Sequence, residues 1–275
     1  MDYKVTSEIY SEFEYASPSK PWVDEKYVVS SFKFKYPPQK PKLDEDGDLV
    51  VSRKSEKQKY GVIEIEHRKK TSLDLVGTQM WRGSLLLADW LLNNGDCLPK
   101  DSFILELGGG VGFTSIIASM FCPVICTDIK REDLLQLMES NVKRNAKFVK
   151  NPVTTCELDF FIQIIPKFIA ENIDKISIII AAEVIYNDQL TDAFIKTVEH
   201  LFMVASSEKI LYLAVEKRFV FTIADCDSVA PCFEHFLRQL ACSKLAYEEL
   251  PISFPKCFEY DRVKQLVLCK LKLKD

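Results

Sequence analysis

"FILELGGGVGF", Phe103 to Phe113, places four glycines among five consecutive residues directly behind an apolar run. The chain of 275 residues has only nine glycines, and none follows Gly112. An apolar strand that ends in glycines and leads into a helix is how an open α/β sheet turns from its first strand into its first helix. Ligands of such sheets bind beside that turn, where something must approach bare backbone.

The pattern on either side supports this reading. Upstream, "MWRGSLLLADWLLNNG" carries apolar residues at helical spacing and ends at a glycine stop. Downstream, strand-like and helix-like runs alternate: "VICTD" then Glu132 to Arg144, "VTTCEL" then Gln163 to Glu171, "ISIIIAAE" then Leu190 to Ala205, and "KILYLAVE" then Val229 to Leu240. Two late strands, near Lys244 to Leu250 and in "VKQLVLCKLKL", close the chain. Such alternation predicts a parallel sheet covered by helices, because parallel strands need crossover connections. The fully apolar "ISIII" suits a central strand.

Residues 1–71 read differently. Residues 1–20 are polar and predict little order, Lys26 to Tyr36 alternates as an edge strand, and Pro37 to Gly61 is a charged, proline-rich connector around at most a short strand at Leu49 to Ser52. "VIEIEHR" alternates as a half-exposed strand. We therefore expect an N-terminal β-rich extension over 1–71 and a main domain over 72–275.

Composition narrows the function classes. With 47% hydrophobic and 28% charged residues the chain can bury a full core, and a net charge of −4 provides no global basic field for nucleic acid. Nine cysteines without a CxxC, mostly in apolar runs, read as reduced core thiols rather than a disulfide framework or a zinc site, so no metal is expected. No secretory signal and no apolar run of about eighteen residues is visible, so an intracellular protein without a membrane span is expected.

Spacing separates three readings of the glycine loop. A P-loop requires Gly-Lys-Ser/Thr, and no lysine follows Gly112 closely. A G-x-G-x-x-G dinucleotide fingerprint counted from Gly108 puts Phe113 where the last glycine belongs. What remains is E-x-G-x-G-x-G over Glu106, Gly108, Gly110 and Gly112, with Asp128 ending the next strand twenty residues after Gly108. A carboxylate there can accept two hydrogen bonds at once. The alternatives are that Asp128 caps a helix and that Glu106 pairs with a lysine or a helix N-terminus.

This pattern resembles motif I of the class I, seven-strand S-adenosyl-L-methionine-dependent methyltransferases. At the end of the fourth strand, "AAEVIYNDQLTDAF" carries [DE]-x-x-[YF] at Glu183 to Tyr186, and "GTQMWRGSLLLADWL" leads into motif I. Together these are similar to methyltransferase family 16, a group rich in protein-lysine methyltransferases, over roughly residues 43 to 270. The resemblance implies an α/β, Rossmann-like fold: a seven-stranded, mostly parallel sheet with helices on both faces and an antiparallel last strand. It implies S-adenosyl-L-methionine as cofactor, held by Trp81, Glu106, Gly108, Gly110, Gly112, Asp128, Asp159 and Ala182. Glu183 and Tyr186 are then the catalytic pair, and the partner is a protein with a target lysine, met by a monomer in the nucleus or cytoplasm.

Two departures from the family stand out. Gly109 lies where alanine is common, an exchange expected to be harmless, and Phe160 lies where tryptophan is usual. Alternatives stay open for several residues: Glu183 as a helix cap with Tyr186 packing, Asp159 as an exposed loop aspartate, Glu216 as a peptide contact or a partner of Lys217 and Arg218. The three histidines share no spacing and read as structural or surface residues. A methyltransferase for small molecules or nucleic acid, or a non-catalytic cofactor-binding scaffold, are the competing functions.

Overall fold

The computed structural model describes residues 4–13, 15, 26–37, 46, 58–222 and 227–274. In chain order the first elements are α1 (Ile9–Glu12), β1 (Tyr27–Lys35), β2 (Tyr60–Arg68), α2 (Arg82–Asn94), β3 (Phe103–Leu107), α3 (Phe113–Ala118) and β4 (Val124–Asp128). There follow α4 (Leu134–Arg144), β5 (Val153–Glu157), α5 (Lys167–Asn172), β6 (Ile176–Ala182), α6 (Asp188–Val204) and β7 (Ile210–Glu216). A small pair, β8 (Val220–Thr222) and β9 (Asp227–Val229), precedes α7 (Pro231–Cys242), β10 (Leu245–Leu250) and β11 (Leu266–Leu273).

Seven strands form one sheet in the order β10-β11-β7-β6-β3-β4-β5. The pairs among β3 to β7 are parallel, and β11 runs antiparallel to both β7 and β10. The chain starts at β3, winds outward to β5, then returns to β6 on the other side of β3. The C-terminal ends of β3 and β6 therefore flank the switch point, where an open sheet leaves a crevice.

Pleating explains the two cores. Ile104 and Ile178 face the layer containing α2, α3 and α4, while Leu105, Leu107 and Ile179 face the layer of α5, α6 and α7. The "ISIIIAA" strand is buried on both faces along nearly its whole length, as its uniform apolarity predicts. Asn187 caps α6 by accepting the Leu190 N–H at 3.0 Å, which starts the helix sharply behind Glu183 and Tyr186.

The N-terminal part is more tightly bound than its sequence suggests. Residues 1–20 were expected to be loose, yet Val5 and Thr71 exchange backbone hydrogen bonds at 2.7 and 3.0 Å, and Ile9 is fully buried. β1 and β2 pair antiparallel, and the edge of β2 is closed by two asparagines one turn apart, Asn141 on α4 and Asn145 directly after it. Asn141 accepts from Glu66 N–H at 2.8 Å and donates to Glu66 C=O at 2.9 Å, while Asn145 does the same with Glu64 at 2.9 and 2.7 Å. The two side-chain amides thus stand in for a neighbouring strand. His67 is buried between Tyr10 and Ser30, and burial pushes its imidazole down to about 4, a structural role as expected.

Other boundaries shift for local reasons. The helix expected from Gln163 starts at Lys167, because Gln163 takes a left-handed conformation and donates to Ala193 C=O and Thr197 Oγ1, both at 3.1 Å. Gly95 does not stop α2 in a left-handed turn but carries it into a 3-10 turn over Gly95–Cys97. The β8 and β9 pair was not foreseen, and the possible strand at Leu49 to Ser52 lies outside the described residues. No helix among the described residues is long and apolar enough to cross a membrane.

Candidate active site

A cleft open to solvent, holding about 890 Å³ of empty space, lies over the C-terminal ends of β3, β4 and β6. Trp81, Gly108, Gly110, Asp128, Ala182, Glu183 and Tyr186 all line it, so seven of the ten expected site residues converge although they span a hundred positions.

The glycine loop forms the floor. Gly110 lies at φ +55, and a Cβ there would sit 2.6 Å from the Gly77 carbonyl oxygen, so the loop and the segment before α2 touch backbone to backbone. Gly110 N–H also donates to Asp128 Oδ2 at 2.8 Å, and Ile129 N–H donates to Oδ1 at 2.7 Å. Burial pushes the Asp128 carboxyl up to about 6, against the pull of these two N–H groups.

Three expected residues sit elsewhere. Glu106 is fully buried and outside the cleft; it accepts from the Thr114 and Ser115 hydroxyls in α3 and ties the end of β3 to the helix that follows. Gly112 is the residue before α3 at φ +82, and a Cβ there would lie 3.0 Å from Met138 Cγ, so it serves packing against α4. Asp159 accepts from Phe161 N–H at 2.9 Å; its neighbours Leu158 and Phe160, not Asp159 itself, face the cleft. Gly109 fits its place closely, since a Cβ there would lie 2.5 Å from Cys126 Sγ.

The opposite end of the cleft is built around Glu183. This residue adopts φ +57, a left-handed backbone that costs a non-glycine residue on the order of 1–3 kcal/mol. It is held by its own N–H on Ala214 C=O at 2.9 Å and by Gly83 N–H donating to Oε1 at 2.9 Å. Burial pushes the Glu183 carboxyl up to about 7; Arg218 lowers it, Glu216 raises it, and the Gly83 N–H lowers it again. Tyr186 stands two-fifths exposed at the mouth, its phenol pushed up to about 12 by burial and then by Asp128.

Sequence reasoning named Trp81 and Glu216 but missed Arg82 and the pairings that surround this site. Trp81 donates its indole N–H to Val76 C=O at 3.0 Å, and the Arg218 guanidinium lies over its ring at 5.0 Å. Arg82 joins Glu216 at 2.5 Å and also Glu12. Glu216 therefore pairs neither with Lys217, which meets Glu249 at 3.4 Å, nor with Arg218, which meets Glu8 at 2.8 Å. "VEKR" displayed the charges, but nothing in its spacing named partners two hundred residues away.

A parallel sheet with this strand order, a glycine floor and an acidic second-strand end define a class I methyltransferase fold with its cofactor cleft. The sequence model of the lysine methyltransferase family, methyltransferase family 16, matches residues 58–229, and the chain belongs to that family. The segments "EHRKKTSLDLVGTQMW", "AAEVIYNDQLTDA" and "VEKRFVF" are similar to methyltransferase-like protein 22. The chain is 36% identical to that protein of Mus musculus over 250 residues, 82% of this chain and 63% of the relative. It is also 36% identical to that of Homo sapiens over 252 residues, 83% of this chain and 62% of the relative. The chain thus spans less than two thirds of the length of these relatives. The protein-lysine N-methyltransferase EEF2KMT of Mus musculus is 28% identical over 210 residues, 72% of this chain and 58% of that one. Among solved structures, the glycopeptide N-methyltransferase MtfA with sinefungin gives a TM-score of 0.49 at 11% identity, over 70% of this chain and 94% of that one.

The cofactor of this class is S-adenosyl-L-methionine, and the residues fit it. Gly108 and Gly110 line the cleft with bare backbone, and Asp128 places a partly buried carboxylate at the end of β4.

Proposed function

We propose that this protein transfers a methyl group from S-adenosyl-L-methionine to a lysine ε-amine of a protein. The observation that carries the reading is Glu183: a carboxylate at the end of β6, in strained backbone, tied to the start of α2 and facing the cleft beside Tyr186. Strain held in place by two hydrogen bonds marks a position kept for function rather than stability. Membership of a lysine methyltransferase family supports the lysine specificity.

In this reading Gly108, Gly110 and Ala182 leave room for the methionyl part, Asp128 accepts the ribose hydroxyls, and Leu158 and Phe160 wall the adenine. When bound, the cofactor supplies an electrophilic methyl on a sulfonium. The chain must bring an uncharged amine in line with it, and alignment is worth much of the acceleration. A free lysine with a pKa near about 10.4 arrives protonated. Glu183 docks and orients the ammonium, which draws the carboxyl towards its ionised form. Tyr186 forms the aromatic wall at the mouth. Burial that raises the Glu183 carboxyl to about 7 makes its carboxylate a stronger base than an ordinary one, so Glu183 can take the ammonium proton as the lysine is desolvated in the cleft, which leaves the amine neutral and aligned for attack.

The test supplies labelled cofactor and cell extract to the full chain, then hydrolyses the labelled products. Methyl-lysine, resistant to nuclease and sensitive to protease, is expected. Glu183→Ala should abolish transfer and Tyr186→Phe reduce it, with S-adenosylhomocysteine affinity kept. Label in nucleic acid, or normal turnover in both variants, would overturn the assignment.

A further inference from the structure

The N-terminal segment is strapped across the wall of the cleft. Ser7 N–H donates to Gln79 Oε1 at 2.9 Å, Gln79 Nε2 donates to Val5 C=O at 3.0 Å, and Met80 N–H donates to Tyr10 Oη at 2.9 Å. Gln79 and Met80 both line the cleft. From this strap, Glu8 and Glu12 reach Arg218 and Arg82, the two guanidinium groups nearest the Glu183 and Glu216 carboxylates.

The division of charge is uneven in a particular way. Arg218 is the strongest charge acting on Glu183, yet its hydrogen bond goes to Glu8 and its plane rests on Trp81. Arg82 is shared between Glu12 and Glu216 Oε1, and Glu216 Oε2 is buried without a hydrogen-bond partner. Four carboxylates thus face two guanidinium groups, and the acids of the strap take up cation that would otherwise settle on the strand-end acids.

We propose that Glu8 is a positioning residue of the acceptor end: by holding Arg218 over Trp81 it prevents an internal Arg218–Glu183 ion pair and leaves the Glu183 carboxylate open to a cationic amine. The inference rests on the reading of Glu183 as the amine-docking group, but its geometry needs no substrate. Glu183 is faced by Arg218 and Glu216 from the end of β7, by Arg82 from α2 through Glu216, and by Glu8 and Glu12 from the strap. Without Glu8, the guanidinium is released towards Glu183, the acid that acts on it most strongly, and the site loses charge complementarity for lysine.

The test is a carboxyl-carbon NMR titration of Glu183 in the full chain, with its signal assigned by its loss in Glu183→Gln. Glu8→Gln should lower the Glu183 midpoint by about one pH unit or more, as expected for a new opposite charge at contact. Glu8→Asp should restore it, and Arg218→Gln should move it upward instead. In the Arg218→Gln background, adding Glu8→Gln should move nothing, which separates action through Arg218 from a direct field effect. An unchanged midpoint in folded Glu8→Gln, or equal shifts with and without Arg218, overturns the proposal. If Glu8→Gln does not fold, Glu8→Ser takes its place with the same two outcomes, a lowered midpoint for the proposal and an unchanged one against it. None of these readouts depends on methyl transfer, so failure of the lysine reading would show separately in the labelling experiment.

Discussion

Gly83 and Glu183, a hundred residues apart, meet so closely that only glycine can stand at the first: its N–H donates to Glu183 Oε1 at 2.9 Å, and a Cβ on it would lie 2.6 Å from that oxygen. The start of α2 thereby sets the position of the carboxylate at the end of β6. Gly83→Ala is expected to displace Glu183 by a few tenths of an ångström or more and to lower methyl transfer by up to about 100-fold. S-adenosylhomocysteine affinity, measured by calorimetry, should hold within a factor of a few. Wild-type turnover in Gly83→Ala would show that Glu183 needs no such seat.

Asp128 should govern cofactor affinity. Each charge-assisted hydrogen bond is worth roughly 1.5–3 kcal/mol, so Asp128→Ala should weaken S-adenosylhomocysteine binding about 10- to 100-fold or more. Since burial sets the carboxyl at about 6, and only the ionised form accepts two hydroxyls, affinity in the wild type should fall as pH drops below that value. Calorimetry at pH 5 and pH 7.5 checks this, and equal affinities would count against the ribose role.

Buried carboxyls also predict a direction for stability. Glu106 is pushed up to about 7 by burial, opposed by the Ser115 hydroxyl, whereas in the unfolded chain it titrates near about 4.3. Between those values the folded chain holds a proton that the unfolded chain has released. Its contribution is therefore full at the acid end and is lost as pH rises through about 7. Glu106→Gln, a change outside the cleft, should gain in Tm relative to wild type as pH goes from 5 to 8. A difference that stays flat across that range would refute the shift.

The asparagine clasp on β2 predicts a large effect from a small deletion. Asn141→Ala strands the Glu66 N–H and C=O and the Val111 C=O that the side chain now satisfies. The cost should be on the order of 2–4 kcal/mol in denaturant unfolding, with faster hydrogen exchange at the Glu64 and Glu66 amides. A loss below about 1 kcal/mol would mean that water replaces the clasp.

Much of this molecule was legible along the chain. Strand–helix alternation from Phe103 to Leu273 located every strand of the large sheet; the central ones, such as β6, are apolar throughout because both faces are buried, while the edge strands β5 and β10 keep polar residues on their exposed positions. Glycine spacing and Asp128 located the cleft, because side chains at strand ends share one edge of a parallel sheet whatever happens elsewhere. Glu183 and Tyr186 were named through the [DE]-x-x-[YF] resemblance to methyltransferase family 16, and the fold brings both to the same cleft. Glu106 and Asp159 turn away from the cleft lining because strand-end position states which edge a residue occupies, not which way its side chain turns, and Gly112 faces Met138 of α4.

The amino-acid sequence by itself thus determined the layers, the switch point and the residues gathered there, all consequences of periodicity and of short, local turns. Only the tertiary structure decided which charges meet. Gly83 seats Glu183, Asn141 and Asn145 complete β2, and Glu8 holds Arg218 across 210 residues. Such contacts leave no periodic trace, since an ion pair or a single hydrogen bond requires two groups close in space and places no constraint on the chain between them.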